Sequence, residues 1–146
     1  MAERSKPGGV RRGLRPTDWP EADRALWDAA LAPGDVLEEG GSRARYAAAS
    51  NRKNADCYGM WLSWLRQQGM LNPVEAPADR ITPAQIRAYI TELGGVVAPN
   101  TVLTHLRALY EMALVMDPRC DWRWSGKSHR AYECARSRFA GNATGW

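Results

Sequence analysis

Residues 50–69, SNRKNADCYGMWLSWLRQQG, constrain this chain more than any other stretch. Ala55, Tyr58, Trp61, Leu62 and Leu65 recur at helical spacing, so the segment predicts one long amphipathic helix with a wide buried stripe. Ser50 is a good N-cap, because its hydroxyl can accept a hydrogen bond from a free N–H of the first turn. The range of starts open to this helix reaches back to Ala48, because helix ends are fixed by sequence only to within a few residues. Gly69 can take the left-handed conformation that closes a helix. Aromatic residues at this spacing are core residues far more often than ligand-stacking ones. A helix this apolar on one side must bury that side against other helices, so the rest of the chain is read around it.

Arg52 and Lys53 sit in the first turn, off the stripe. Cations there oppose the partial positive charge of the helix N-terminus, so they do nothing for the helix itself. A solvated helix end is one reading; a site for a polyanion is the other. The wider charge pattern favours the second. Residues 1–16 carry a net +4, residues 17–41 a net −6, residues 42–72 a net +4 and residues 117–146 a net +3. This segregation leaves an acidic flank and a basic face, the electrostatic footprint of a nucleic-acid binder. Arg43 and Arg45 extend the basic run ahead of the helix.

At 146 residues with 45% hydrophobic residues and seven Trp, the chain has the size and composition of one globular domain. No apolar run approaches the ~18 residues that a membrane span requires. The N-terminus, MAERSKPGGVRRGLRP, has no apolar core region of the kind a secretory signal carries. Cys57, Cys120 and Cys134 are odd in number and far apart, which predicts free thiols and a reducing, cytoplasmic setting. With His105 and His129 they show none of the close pairings that zinc sites use, and no cofactor is expected.

The remaining segments also read as helices. Residues 1–16, rich in Gly and Pro, read instead as a flexible basic arm. A first helix is expected over residues 20–32, with Asp18 and Glu21 as a capping box and Pro33-Gly34 as its stop. Its apolar side is Ala22, Leu26, Ala29 and Ala30, widened by Trp27. A third helix runs over residues 82–93, with Thr82 as N-cap, Pro83 at the first position and Ile86, Ile90 and Leu93 buried. A fourth covers residues 99–116, with Val102, Leu106, Leu109, Ala113 and Met116 at core spacing. Asn100, Thr101, Thr104 and Arg107 lie mainly off that stripe, and His105 is a polar position beside it. Trp122 and Trp124 are too large to stay in water and are expected to dock on the bundle. A short fifth helix is expected over residues 128–139, followed by a frayed tail at 141–146. No segment alternates with strand period for long, so the fold class is all-α: a compact orthogonal bundle spanning residues 17–140.

Certain positions in this series share a pattern. Ser50, Tyr58-Gly59, Trp61-Leu62, Trp64-Leu65 and Gly69 are followed by Thr82-Pro83, Ile86, Tyr89-Ile90 and Leu93, then by Asn100-Thr101-Val102, Leu106 and Leu109, and finally by Pro118, Asp121-Trp122 and Trp124. Over residues 18–139 this resembles the N-terminal, SAM-like core-binding domain of tyrosine recombinases of the phage-integrase type. Ser50 stands where that family often has Thr. The resemblance implies that the second and fourth helices lie against duplex DNA. Asn51, Arg52, Lys53, Asn100, Thr101, Thr104, His105 and Arg107 would then be contact residues, with Arg43 and Arg45 in the adjoining basic run. It implies duplex DNA as the partner, shared with other recombinase protomers, in DNA integration or recombination.

Such recombinases cut with a tyrosine nucleophile, while arginines, a lysine and histidines stabilise the transition state. By the resemblance, that constellation belongs to a second domain beyond residue 139, and this chain stops at Trp146. Ser128-His129-Arg130 has the wrong spacing for the family's HxxR box. The chain is therefore expected to bind DNA without cutting it. Two other classes compete: a helical protein-interaction module using the acidic first helix, and a small enzyme. The enzyme reading lacks a clustered acid–base pair, a Gly-rich phosphate loop or metal-ligand spacing.

Overall fold

Helix ends in this chain are set by local chemistry at some positions and by packing at others. The computed structural model describes residues 13–35, 37, 40–120 and 122. Four helices are present there: α1 (Glu21–Leu31), α2 (Ala48–Gln67), α3 (Pro83–Gly94) and α4 (Pro99–Met116). Short 3-10 turns occur at Pro16–Asp18 and Pro77–Arg80, and no strand occurs among the described residues. The described residues are all-α, as the periodicity predicts. Among the described residues no helix is long and apolar enough to cross a membrane.

The end of α2 follows directly from its sequence. Gly69 has a φ of 73°, and its N–H donates to the Arg66 carbonyl at 3.0 Å while Met70 N–H donates to Leu65 at 2.9 Å. These paired bonds satisfy carbonyls the helix leaves open. The start of α3 is equally local: Thr82 Oγ1 accepts from Gln85 N–H at 3.2 Å, with Pro83 in the first turn. Thr82's own N–H donates to the Arg80 carbonyl at 3.2 Å.

Two caps differ from expectation. Helix α2 begins at Ala48, so Ser50 lies inside its first turn and is not the cap; Ala47 holds that position without a side-chain bond. Helix α1 is preceded by Pro20, also without a side-chain cap, because the Pro16–Asp18 turn takes Asp18 out of capping position.

Helix α2 is the centre of the core. Tyr58, Trp61, Leu62 and Leu65 are fully buried, and Trp64 nearly so. The Trp61 ring lies 5.3 Å from Tyr89 of α3, edge to face, and the Trp19 ring lies 5.1 Å from Tyr58 in the same manner. Ile86, Leu93, Leu109, Met112 and Ala113 complete the interior, while Ile90 and Leu106 sit half-buried at its margin. Trp122 docks as expected, its indole N–H donating to the Asp117 carbonyl at 2.7 Å.

The buried face of α1 is rotated from the expected one. Ala22 and Ala29 are exposed, whereas Asp23, Trp27 and Ala30 are buried. The buried Asp23 is held in an ion pair. Arg80, from the second 3-10 turn, places Nη1 at 2.9 and 2.8 Å from the two Asp23 carboxylate oxygens, and Tyr58 donates its hydroxyl to Asp23 at 2.5 Å. Arg80 Nη2 donates to the carbonyls of Asn72 and Glu75. A buried charge is tolerated when it is paired and hydrogen-bonded in this way.

Residues 13–16, the end of the stretch read as a basic arm, lie on the bundle. Leu14 N–H donates to the Gly59 carbonyl at 3.0 Å, and the Leu14 carbonyl accepts from the Trp19 indole at 2.9 Å. A Cβ at Gly59 would collide with the Leu14 carbonyl, so the glycine in the middle of α2 is what lets the chain cross there.

The expectation of three free thiols is corrected. Cys57 is free and buried, but Cys120 is disulfide-bonded. Linear spacing carries no information about which thiols the fold brings together. Residues 1–12, Trp124, the expected helix at 128–139 and the tail lie outside the described residues.

Candidate nucleic-acid interface

Helix α2 packs more extensively on α4 than any other helix pair packs. Their joint is polar at one end. Glu111, the single acid of α4, accepts from Asn54 Nδ2 at 2.8 Å and from Arg43 Nη1 at 3.2 Å through the same Oε1. Arg43 Nε donates to Asn51 Oδ1 at 2.9 Å, and Asn51 Nδ2 donates back to the Arg43 carbonyl at 3.1 Å. Arg43 thus fastens the turn before α2 both to the first turn of that helix and to α4.

This arrangement changes the standing of three residues read from sequence as surface positions. Arg43 is 4% exposed, so its charge serves the fold. Asn51 is half-buried, with both ends of its amide occupied by Arg43. His105 is 8% exposed, and its desolvation holds the imidazole pKa below the ordinary value. The physical reason is direct for Arg43, and Asn51 follows through its bonds to Arg43. Glu111 lies 68 residues from Arg43, so its carboxylate is invisible to local reading.

The other candidates lie at the surface. Arg45, Arg52 and Lys53 are exposed, and their side chains make no hydrogen bond or ion pair among the described residues. On α4, Asn100, Thr101, Thr104 and Arg107 are exposed, and Thr104 returns its hydroxyl to the Asn100 carbonyl at 3.1 Å. Positions 100, 104, 107 and 111 follow one another at helical spacing along one side of α4. Arg107 therefore stands one turn, about 6 Å along the axis, from Glu111. Arg52 and Lys53 fall between Asn51 and Asn54 on α2. Arg52 and Lys53 on α2 and Arg107 on α4 thus each lie within a turn, along their own helix, of a residue of that joint.

Sequence reading missed Asn54 and Glu111. A signal existed for each: Asn54 lies in register with the stripe of Tyr58, Trp61 and Leu65, and Glu111 is the lone acid among the apolar residues of α4. A polar group at a core position implies a polar partner. Cys57 lies nearby on α2, its thiol pKa raised by burial and lowered in smaller part by Lys53. No protein family, curated protein or solved structure matches the chain.

Proposed function

We propose that this chain binds duplex DNA, in the manner of the core-binding domain of tyrosine recombinases that its sequence resembles, and that it does so without cutting. The contact surface is the start of α2 with the turn before it and the exposed edge of α4. One observation carries this reading: Arg45, Arg52, Lys53 and Arg107 are exposed, make no ion pair among the described residues, and each stand within a turn along the chain of a residue that joins α2 to α4. Cations that no carboxylate neutralises, carried on packed helices, are free to pair with a phosphate backbone. Arg52 and Lys53 hold phosphates. Asn100 and Arg107 are placed by residue type for base edges, since amide and guanidinium groups pair bidentately with adenine and guanine.

A fluorescence anisotropy titration on duplex DNA at several salt concentrations tests the reading. Binding is expected to weaken steeply with salt, by a log–log slope of about −0.9 per phosphate neutralised. Arg52→Ala and Lys53→Ala each flatten that slope by roughly one unit and weaken binding to all sequences alike. Asn100→Ala changes sequence preference more than salt dependence. Salt-independent binding, or charge variants indistinguishable from wild type, rejects this surface and favours the protein-interaction alternative.

A further inference from the structure

Tyr46 is the first residue past the turn that Arg43 fastens. Its ring is stacked on that arginine: the guanidinium carbon lies 3.6 Å from the ring centroid. Arg43 cannot drift, because Asn51 and Glu111 hold its nitrogens. The backbone is tied as well. Tyr46 N–H donates to the Arg43 carbonyl at 3.2 Å, and Asn51 Nδ2 donates to that same carbonyl at 3.1 Å. Yet Tyr46 remains 52% exposed.

An exposed aromatic ring is ordinarily a mobile one. Here a buried cation covers one side of the ring and the rest is left to solvent, next to the exposed Arg45 and ahead of Arg52. Burying the guanidinium contributes nothing to solubility, and stacking a half-exposed tyrosine on it adds little core. What the arrangement supplies is a fixed aromatic face with a hydroxyl at its tip, inside a cationic surface. Ordering such a ring beforehand removes the entropy loss that binding would otherwise incur.

We infer that Tyr46 is a contact residue for the sugar–phosphate backbone of DNA, its ring packing on a deoxyribose and its hydroxyl donating to a phosphate oxygen. This rests on the proposed DNA-binding surface and adds to it an uncharged contact. Tyrosine hydroxyls are among the side-chain donors that phosphates accept from. An uncharged donor strengthens binding without releasing counterions, so it leaves the salt slope alone.

That difference supplies the test. The full chain, Tyr46→Phe, Tyr46→Ala and Arg52→Ala are titrated against a short labelled duplex of mixed sequence at several salt concentrations. Tyr46→Phe keeps the ring on Arg43 and removes only the hydroxyl, so folding is preserved. It is expected to weaken binding by roughly tenfold, the usual worth of a hydrogen bond to a charged group, with the salt slope unchanged. Tyr46→Ala weakens binding further, again at constant slope. Arg52→Ala weakens binding and flattens the slope. If both Tyr46 variants bind like wild type while Arg52→Ala is impaired, the Tyr46 contact is overturned and the cationic surface stands. Flattened slopes in the Tyr46 variants also overturn it, because the tyrosine would then act by moving a cation. Absence of salt-sensitive binding by the wild-type chain overturns the surface itself, and this inference with it.

Discussion

Asp23 and Arg80 form an ion pair in which neither side chain reaches solvent, 0% and 1% exposed, with 2.8 Å between Arg80 Nη1 and Asp23 Oδ2. The pair joins α1 to the connector between α2 and α3, and Tyr58 adds α2 to the same carboxylate. It therefore ties three parts of the chain through one buried charge.

Removing one partner leaves the other charged and dry. Arg80→Ala is expected to destabilise the fold by about 3–5 kcal/mol. The double variant Asp23→Leu with Arg80→Met recovers most of that loss, since replacing both partners by apolar groups removes the desolvation penalty. It leaves the Tyr58 hydroxyl without its acceptor, a residual cost of about 1–3 kcal/mol. Urea unfolding of the three proteins measures both steps; a double variant as unstable as Arg80→Ala refutes the account.

Leu62 and Leu106 both occupy apolar helix positions, but only Leu62 is fully buried; Leu106 lies at the core margin. Leu62→Ala is expected to cost about 2–5 kcal/mol, and Leu106→Ala less, because a half-buried site leaves a smaller cavity. Equal losses in unfolding free energy contradict this ordering.

Gly59 offers a sharper contrast between propensity and packing. In an isolated helix, Gly→Ala stabilises by about 1 kcal/mol. Here the added Cβ meets the Leu14 carbonyl, which itself holds the Trp19 indole. Gly59→Ala is expected to destabilise by about 1–3 kcal/mol, the usual range for overpacking. The Leu14 amide and the Trp19 indole should then exchange their hydrogens faster. A more stable protein with unchanged exchange shows that residues 13–16 do not depend on Gly59.

Stability should also depend on pH through His105. Burial holds its pKa below the ordinary 6.5, so the unfolded chain takes up the proton first as pH falls. The stabilisation is complete above 6.5, decreases as pH drops through that value towards the folded one, and is lost below the latter. His105→Leu should flatten this limb. Urea midpoints across the acid range compare the two proteins, and parallel curves dismiss the contribution. At the alkaline end, burial raises the pKa of Tyr58 and Tyr89 above 10, and the Asp23 carboxylate raises Tyr58 further. Stability present below pH 10 is therefore lost as pH rises beyond it, while the unfolded tyrosines ionise.

Much of this architecture is legible in the sequence. The stripe of α2, its closure at Gly69, the Thr82-Pro83 start of α3 and the bounds of α4 each depend on residues within a few positions of one another. Helical spacing and capping are local physics, so a linear reading captures them. The exposure of Arg52 and Lys53 is legible for the same reason: both lie off the apolar stripe of their own helix. Tertiary structure alone decided the rest. Asp23 and Arg80 are 57 residues apart, and Arg43 and Glu111 are 68 apart. A charged residue carries no mark that a partner awaits it in the interior. Whether it is buried is determined by the free energy of pairing across the assembled fold, and that pairing exists only once the helices have docked.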